Sequence, residues 1–258
     1  DLLGNTFAFN AVSDSMRRFV AFNGAAFYSV NRVGRVENQN LHATSQVDMI
    51  IVTYPEFNSQ AERLAAFRAE KDGLSVKIVT PAQIYNEFSS GAQDVTAIRD
   101  YMKMIYDKSG GVYPRYLLLF GRPSYDYRGR ENTCKLYVPN YQTSSAVNES
   151  SLRSNDDYFA LLDDNEGENC VGFLDISVGR FPVTTLAQSQ IAVNKSINYS
   201  ATEILGEDHP LTSNFGDWKN VATFVADDED GTTHIRAADL AATLAGQNNP
   251  NINLDKIY

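Results

Sequence analysis

The feature that most constrains this chain is the alternation of short apolar runs with segments of helical period. Val47–Tyr54 and Tyr116–Phe120 are near-continuous apolar runs of strand length, as expected for parallel strands that are buried on both faces. Ser59–Phe67 carries apolar residues at helical spacing, and Gly73 is suited to end that helix. Leu74–Thr80 is predicted as the next strand. This β-α-β order predicts a mostly parallel α/β sheet with helices on both faces.

The alternation continues along the chain. Asp94 is predicted to be the N-cap of a second helix, since apolar residues follow it in one stripe. A long irregular stretch covers about 122–153. The remaining predicted elements are regular segments at 158–162 and 174–178, a helix at about 186–203, a strand at 220–226, a helix around 239–245 and a strand that begins at Leu254.

Residues 1–45 differ in style, because aromatic residues stand there among Asn, Ser, Gly and Val without a helical period. Such a pattern is typical of short strands and turns. We predict that 1–45 is the end of a β-rich N-terminal region. Residues 46–150 are predicted to form a first α/β subdomain, and 151–258 the start of a second, catalytic subdomain that is truncated.

Charge and motifs exclude several classes of protein. A net charge of −10 over 258 residues argues against a nucleic-acid partner, because phosphates are bound mainly through clustered Lys and Arg. Neither glycine-rich nucleotide-binding motif follows a predicted strand. The longest apolar runs are far shorter than the roughly 20 residues of a membrane helix. The chain opens at Asp1 without a signal peptide, so we interpret it as a mature segment or as a piece of a longer protein.

Cysteine and histidine are few. The two cysteines, Cys134 and Cys170, could pair in an oxidising compartment, although two inert thiols are the commoner outcome. The three histidines are scattered at His42, His209 and His234, so no zinc pattern exists. Neither cysteine has the Gly or aromatic frame of a nucleophile, and a Cys–His dyad within the chain is therefore not expected.

Acidic residues cluster near predicted strand ends, where open α/β sheets place their sites. Asp156, Asp157, Asp163 and Asp164 flank the segment at 158–162, and the run Asp227–Asp230 follows the strand at 220–226. Adjacent carboxylates repel one another, so such a run is solvated, bound to a hard cation such as Ca²⁺ or held beside a cationic partner. The first four are candidate ligands of a structural Ca²⁺, and a solvated loop is the plain alternative for the turn at Asp163. No cofactor is otherwise required.

Several motifs carry a resemblance to a known family. Asn155–Tyr158 and Asp175–Val183, with the helix that ends at Ile197–Tyr199, resemble the core signature of gingipain-type cysteine peptidases, family C25. Gly34–His42 and Tyr85–Gly91 are similar to the PorU-type sortases of the type IX secretion system. The resemblance covers about residues 30–258.

The resemblance implies a caspase-like α/β fold and Cys–His peptide-bond chemistry at the bacterial cell surface. The implied substrates are secreted proteins whose C-terminal sorting domain is removed. In such enzymes the acyl-enzyme is passed to an amine on a lipopolysaccharide, and an outer-membrane secretion protein is the expected partner.

The family's catalytic His belongs to a His-Gly element and its Cys comes later, both beyond the strand that begins at Leu254. No His-Gly pair occurs in this sequence, so the dyad is expected outside the chain, and the chain alone is predicted to be inactive. A carboxylate that orients the catalytic His falls on Glu229, with Asp228 as the alternative; such a carboxylate fixes the imidazole tautomer. The family's Gly-Asp after the third strand is replaced here by Gly121-Arg122, which argues against a metal-binding role at position 122.

Two hypotheses of other classes stay open. A catalytically silent relative that binds cargo or acts as a scaffold is favoured by the absent dyad and by the tyrosine-rich loop at 125–141. A Ca²⁺-binding stability module is favoured by the acidic clusters alone.

Overall fold

In a computed structural model of the chain, residues 1–38 and 39–258 pack as two separate units. In the second unit the structure describes residues 39–128, 130, 134–142, 154–167, 170–200, 217–227 and 231–258. In the first unit it describes residues 2–3, 6–7, 9–12, 14, 16, 18–21, 24, 27, 29, 31 and 34–38.

The first unit contains two short strands. β1 (Leu2–Leu3) pairs antiparallel with β2 (Thr6–Phe7), and the rings of Phe9 and Phe19 meet edge to face with their centroids 4.9 Å apart. The β-rich segment that the sequence predicts at the N-terminus is confirmed by this pair. The structure divides the chain after Asn38, whereas the sequence indicated about 45.

The second unit alternates strands and helices. Its strands are β3 (Met49–Thr53), β4 (Val76–Val79), β5 (Tyr116–Phe120), β6 (Tyr141–Gln142), β7 (Ser154–Asn155), β8 (Ser177–Phe181), β9 (Val221–Val225) and β10 (Asn253–Ile257). Its α-helices are α1 (Asn58–Asp72), α2 (Pro81–Phe88), α3 (Val95–Asp107), α4 (Leu186–Ser200) and α5 (Thr233–Asn248). Short 3₁₀ turns occupy 41–43, 55–57, 157–160 and 217–220. No helix of the described residues is long and apolar enough to cross a membrane.

A four-stranded parallel sheet forms the core, in the order β4-β3-β5-β8. Side chains alternate between its faces, as the strand period requires. Ile50 and Leu119 pack with α2 and α3 on one face, and Ile51 and Phe120 pack with α1 and α4 on the other. The predicted parallel sheet with helices on both faces is confirmed. Its last strand, β8, follows the division predicted at residue 150, yet it is hydrogen-bonded to β5, which precedes that division.

Local signals explain how the helices begin and end. Gly73 ends α1 in the left-handed conformation with φ 66°, and the Asp94 side chain accepts a hydrogen bond from Thr96 N at 2.8 Å as the N-cap of α3. Helix α2 is absent from the sequence prediction. It begins with a capping box between Thr80 and Gln83, a pattern that satisfies two backbone donors at once.

The remaining strands form two smaller pairs. β6 and β7 pair antiparallel, and β9 pairs with β10 in parallel through the α5 crossover. The segment predicted at 158–162 is a buried 3₁₀ turn over Asp157–Ala160. The regular segment predicted at 174–178 corresponds to the strand β8, which begins three residues further along.

Candidate site at the carboxyl edge of the sheet

The carboxyl ends of the parallel strands open onto one edge of the sheet, the usual place for a site in this architecture. Backbone hydrogen bonds extend past the strand ends there. Tyr54 N donates to Phe120 O at 3.2 Å, and Gly121 N donates to Phe181 O at 3.0 Å. The loops that leave β3, β5 and β8 are therefore joined to one another before they diverge.

Arg180, on β8, is the central side chain of this edge. Its Nε and Nη2 donate to the two carboxylate oxygens of Asp156, both at 2.7 Å. Its other donors reach the carbonyl oxygens of Gly121 at 2.8 Å, Val138 at 2.9 Å and Pro139 at 2.8 Å. The Arg180 side chain is only 9% exposed. All five guanidinium donors are thus used.

This arrangement follows from the cost of burying a charge. A buried guanidinium is stable only when a carboxylate balances it and every N–H has an acceptor. Here one side chain joins the end of β5, the loop at 138–139 and the turn at Asp156 to β8. The edge of the sheet is held in one shape as a result.

Gly121 makes the close approach of that loop feasible. A Cβ at this position would lie 2.7 Å from Tyr137 Cβ and 3.1 Å from Val138 Cγ2. Its φ of 152° is also one that other residues rarely adopt. The loop after β5 can therefore fold back onto the strand end only because residue 121 has no side chain.

Lys135 lies on the same edge, against two neighbouring tyrosine rings. Its Nζ is 4.4 Å from the ring centroid of Tyr54 and 4.8 Å from that of Tyr137, within the range of cation–π attraction. Glu56 Oε2 lies 3.4 Å from the same ammonium. Hydrogen bonding to Tyr54, and then to Glu56, raises the pKa of Lys135. The Tyr137 hydroxyl donates to Thr184 O at 2.7 Å.

A pocket of about 700 Å³ adjoins this lysine. Its described wall includes Gln93, Asp126, Arg128, Cys134 and Lys135. Gln93 Nε2 donates to Tyr127 O at 2.6 Å, which fastens the loop to the segment before α3. The pocket thus lies between the loop that follows β5 and the beginning of α3.

The predicted calcium ligands do not converge in the described residues. Both oxygens of Asp156 are bonded to Arg180, and Asp164 forms an ion pair with Lys103 at 3.0 Å. Asp157 begins the buried turn, while Asp163 lies in the exposed turn that follows it. Among the described residues, no three His, Cys, Asp or Glu side chains are placed to hold a metal ion. A calcium site stays a prediction.

The thiols and imidazoles are separate wherever they are described. Cys134 and Cys170 are both free, and burial, followed by the charge of Asp157, raises the pKa of the Cys170 thiol. His42 Nδ1 lies 2.7 Å from Glu87 Oε2. In the described parts of the chain, no cysteine sulfur is hydrogen-bonded to a histidine ring. The candidates Glu229 and Asp228 lie outside the described residues, as does His209.

The two PorU-like segments meet at Glu87. Its carboxylate accepts hydrogen bonds from Leu41 N at 2.6 Å, Gln39 Nε2 at 2.8 Å and His42 N at 3.0 Å. Burial alone would raise the pKa of Glu87, but these bonds and that of the His42 ring outweigh it and lower the pKa to about 2. Lys108 Nζ donates to His42 O at 2.7 Å. Segment 39–42 is therefore fastened to α2 and α3.

Arg180 is the site residue to which sequence reasoning gave no role. A charged residue inside the strand-like motif Asp175–Val183 is itself a signal, because such a residue requires a buried partner. The motif at Asn155–Tyr158 supplies that partner as Asp156. An ion pair between Asp156 and Arg180 therefore joins the two motifs of the family signature.

The parallel sheet, with helices on both faces and joined loops at its carboxyl edge, defines an α/β protein. The sequence profile of peptidase family C25 matches residues 42–258, and the chain belongs to that family. It is also similar to a crystal structure of dimeric latent PorU from Porphyromonas gingivalis, with a TM-score of 0.57 and 31% sequence identity. That match covers 78% of this chain and 21% of the PorU chain. No curated protein matches the chain.

Proposed function

We propose that this chain is the framework of a cell-surface cysteine peptidase that acts as a sortase of the type IX secretion system. The observation that carries the proposal is the family C25 match over residues 42–258, together with 31% identity to PorU over 78% of the chain. The substrates are secreted proteins that carry a C-terminal sorting domain. An outer-membrane secretion protein is the partner that presents them.

The chemistry would be thiol-based acyl transfer. A thiolate attacks the peptide carbonyl, and the sorting domain leaves as a free amine that takes up a proton. An amine on a lipopolysaccharide then attacks the thioester, so that an amide forms and the thiol is released. Cleavage and attachment are in this way one reaction sequence.

In these reactions this chain would supply the structural framework of the active site. The family's catalytic His belongs to a His-Gly element, and because no His-Gly pair occurs in this sequence, we assign the base and the nucleophile that follows it to residues outside 1–258. Glu229, or Asp228 beside it, would orient the catalytic imidazole, since both follow β9. Arg180 would keep the edge of the neighbouring sheet in a fixed shape.

The test is the fate of secreted cargo in the bacterium that encodes this protein. We expect deletion of the gene to leave the C-terminal sorting domain on cargo, which mass spectrometry of the cell-surface fraction would detect. The full-length gene should restore processing. Normal processing in the deletion strain would contradict the proposal.

The silent-scaffold alternative predicts a different result in the same strain. A full-length gene in which every cysteine is replaced by alanine should fail to restore processing if the protein is the sortase. Restoration by that gene would show that binding or scaffolding, without thiol chemistry, is what the cell requires.

A further inference from the structure

We propose that the pocket beside Lys135 binds an acidic side chain of a polypeptide substrate, and that Arg128 and Lys135 are the cations that receive its carboxylate. The polypeptide nature of the ligand rests on the proposed function. The charge preference rests on the pocket itself.

The pocket has the size and the position of a substrate subsite. Its volume of about 700 Å³ lies in the range typical of ligand sites, roughly 300–1,000 Å³. It opens beside the loop that follows β5, at the carboxyl edge where this architecture places its ligands. Gln93, just before α3, holds the loop in place through Tyr127 O.

Arg128 is available to a ligand. Its guanidinium carbon lies 5.3 Å from the ring centroid of Tyr127, and in the described part of the chain it has no carboxylate partner within ion-pair distance. Asp126, the acidic side chain of the described wall, is already engaged in an interaction of its own. The guanidinium therefore offers its donors to the pocket, and its planar fork matches a carboxylate.

Lys135 supplies a second charge at a fixed point. The rings of Tyr54 and Tyr137 both lie within 5 Å of its ammonium, on the same side of it, and the centroids of the two rings are 5.0 Å apart. An ammonium held in this way loses little further freedom when it binds a carboxylate. Glu56 neutralises it only through a contact of 3.4 Å.

The charge of the whole chain decides between ligand classes. A net charge of −10 repels an extended polyanion such as a nucleic acid. One carboxylate on an otherwise neutral peptide experiences much less of that repulsion, and both cations line the pocket that would receive it. We therefore assign the pocket to a discrete Asp or Glu side chain.

The test is direct binding to the whole 258-residue chain, measured by fluorescence anisotropy. One labelled peptide carries a single central Glu among Ala and Gly, and its twin carries Gln. We expect the Glu peptide to bind about tenfold more tightly than the twin, because hydrogen bonds to charged groups are the strong ones. Arg128→Gln should remove about tenfold in affinity and Lys135→Gln about threefold.

Arg130→Gln is the matched control. Arg130 lies in the same loop, is exposed and is not part of the described pocket wall, so its loss changes the net charge equally and should leave binding unchanged. Equal binding of the Glu and Gln peptides, an equal loss in Arg130→Gln, or binding of anionic lipid vesicles in place of the peptide would overturn the proposal. Binding needs no catalysis, so it can fail while cargo processing holds, or hold while cargo processing fails.

Discussion

The two parallel sheets of the second unit share one connection pattern but differ in burial. All five residues of β3 are buried, whereas β9 alternates between exposed and partly buried residues and all five residues of β10 are exposed. Parallel strands are normally covered on both faces. The first sheet has helices on both faces, and the second packs against α5.

The difference coincides with the division between support and chemistry that we propose. The first sheet is a rigid platform whose carboxyl edge is fixed by Arg180 and Gly121. The second sheet carries the run Asp227–Asp230 after β9, where the candidate His-orienting carboxylates lie. In sequence, the candidate His-orienting carboxylates therefore follow a strand of the less buried sheet.

The largest expected effect is a loss of stability when a buried ion pair is removed, compared with the removal of an exposed ion pair in the second region. Arg180→Ala should lower the free energy of unfolding by about 4 kcal/mol, because it leaves Asp156 and three carbonyls without their partner. Lys256→Ala removes the exposed pair with Asp239 and should leave the urea midpoint unchanged within error. Equal losses in the two variants would contradict the comparison.

A matched pair of valines tests how much the burial of a side chain contributes to the stability of each sheet. Val52 on β3 is 0% exposed and Val225 on β9 is 70% exposed. Val52→Ala should cost about 2 kcal/mol through lost burial and a cavity, and Val225→Ala less than about 0.5 kcal/mol. Urea denaturation of both variants measures this. A cost at Val225 as large as that at Val52 would mean that β9 is covered as fully as β3.

A matched pair of glycines tests whether the chain needs a residue without a side chain where two segments approach closely. Gly121→Ala should destabilise by about 1.5 kcal/mol, because the new Cβ meets Tyr137 Cβ at 2.7 Å. In α5, a Cβ at Gly246 meets only the end of the Leu254 side chain at 2.9 Å, and alanine is the better helix former by about 1 kcal/mol. Gly246→Ala should therefore leave stability unchanged or raise it. Thermal melting distinguishes the two signs, and a stabilised Gly121→Ala would be the contrary result.

A pH dependence is expected in the first region. The folded pKa of Glu87 is about 2, below its ordinary value of 4.5, so its stabilisation is full above pH 4.5 and is lost as pH falls towards 2. Glu87→Gln should therefore be less stable than wild type at pH 7 and should lose less between pH 4.5 and 2. Melting curves across that window test this. Parallel curves for the two proteins would contradict it, and Asp239→Asn in α5 serves as the exposed control.

Most of the platform could be predicted from the sequence. The strands β3 and β5 were predictable because strands buried on both faces are apolar throughout, and Gly73 and Asp94 signalled helix ends through their local chemistry. Helix α2 was missed because eight residues give little periodic signal, although the Thr80–Gln83 capping box was present. A structural element can be predicted from the sequence when the residues that cause it are neighbours in the chain.

The site was harder to predict because its contacts are distant in sequence. Arg180 and Asp156 are 24 residues apart, and only the pairing of β8 with β5 brings Arg180 to the carbonyls of Gly121 and Val138. The same pairing fixes where β8 lies, and it begins at Ser177 although the sequence indicated a regular segment from Leu174.

The central claim is that these residues supply the framework while the thiol and imidazole that break the peptide bond lie elsewhere. Peptide cleavage by the purified 258-residue chain, compared with its Cys134→Ala and Cys170→Ala variants, tests it most directly. We predict no cleavage above the buffer background in any of the three. Cleavage by the parent chain that either substitution abolishes would place the nucleophile inside this chain and contradict the account.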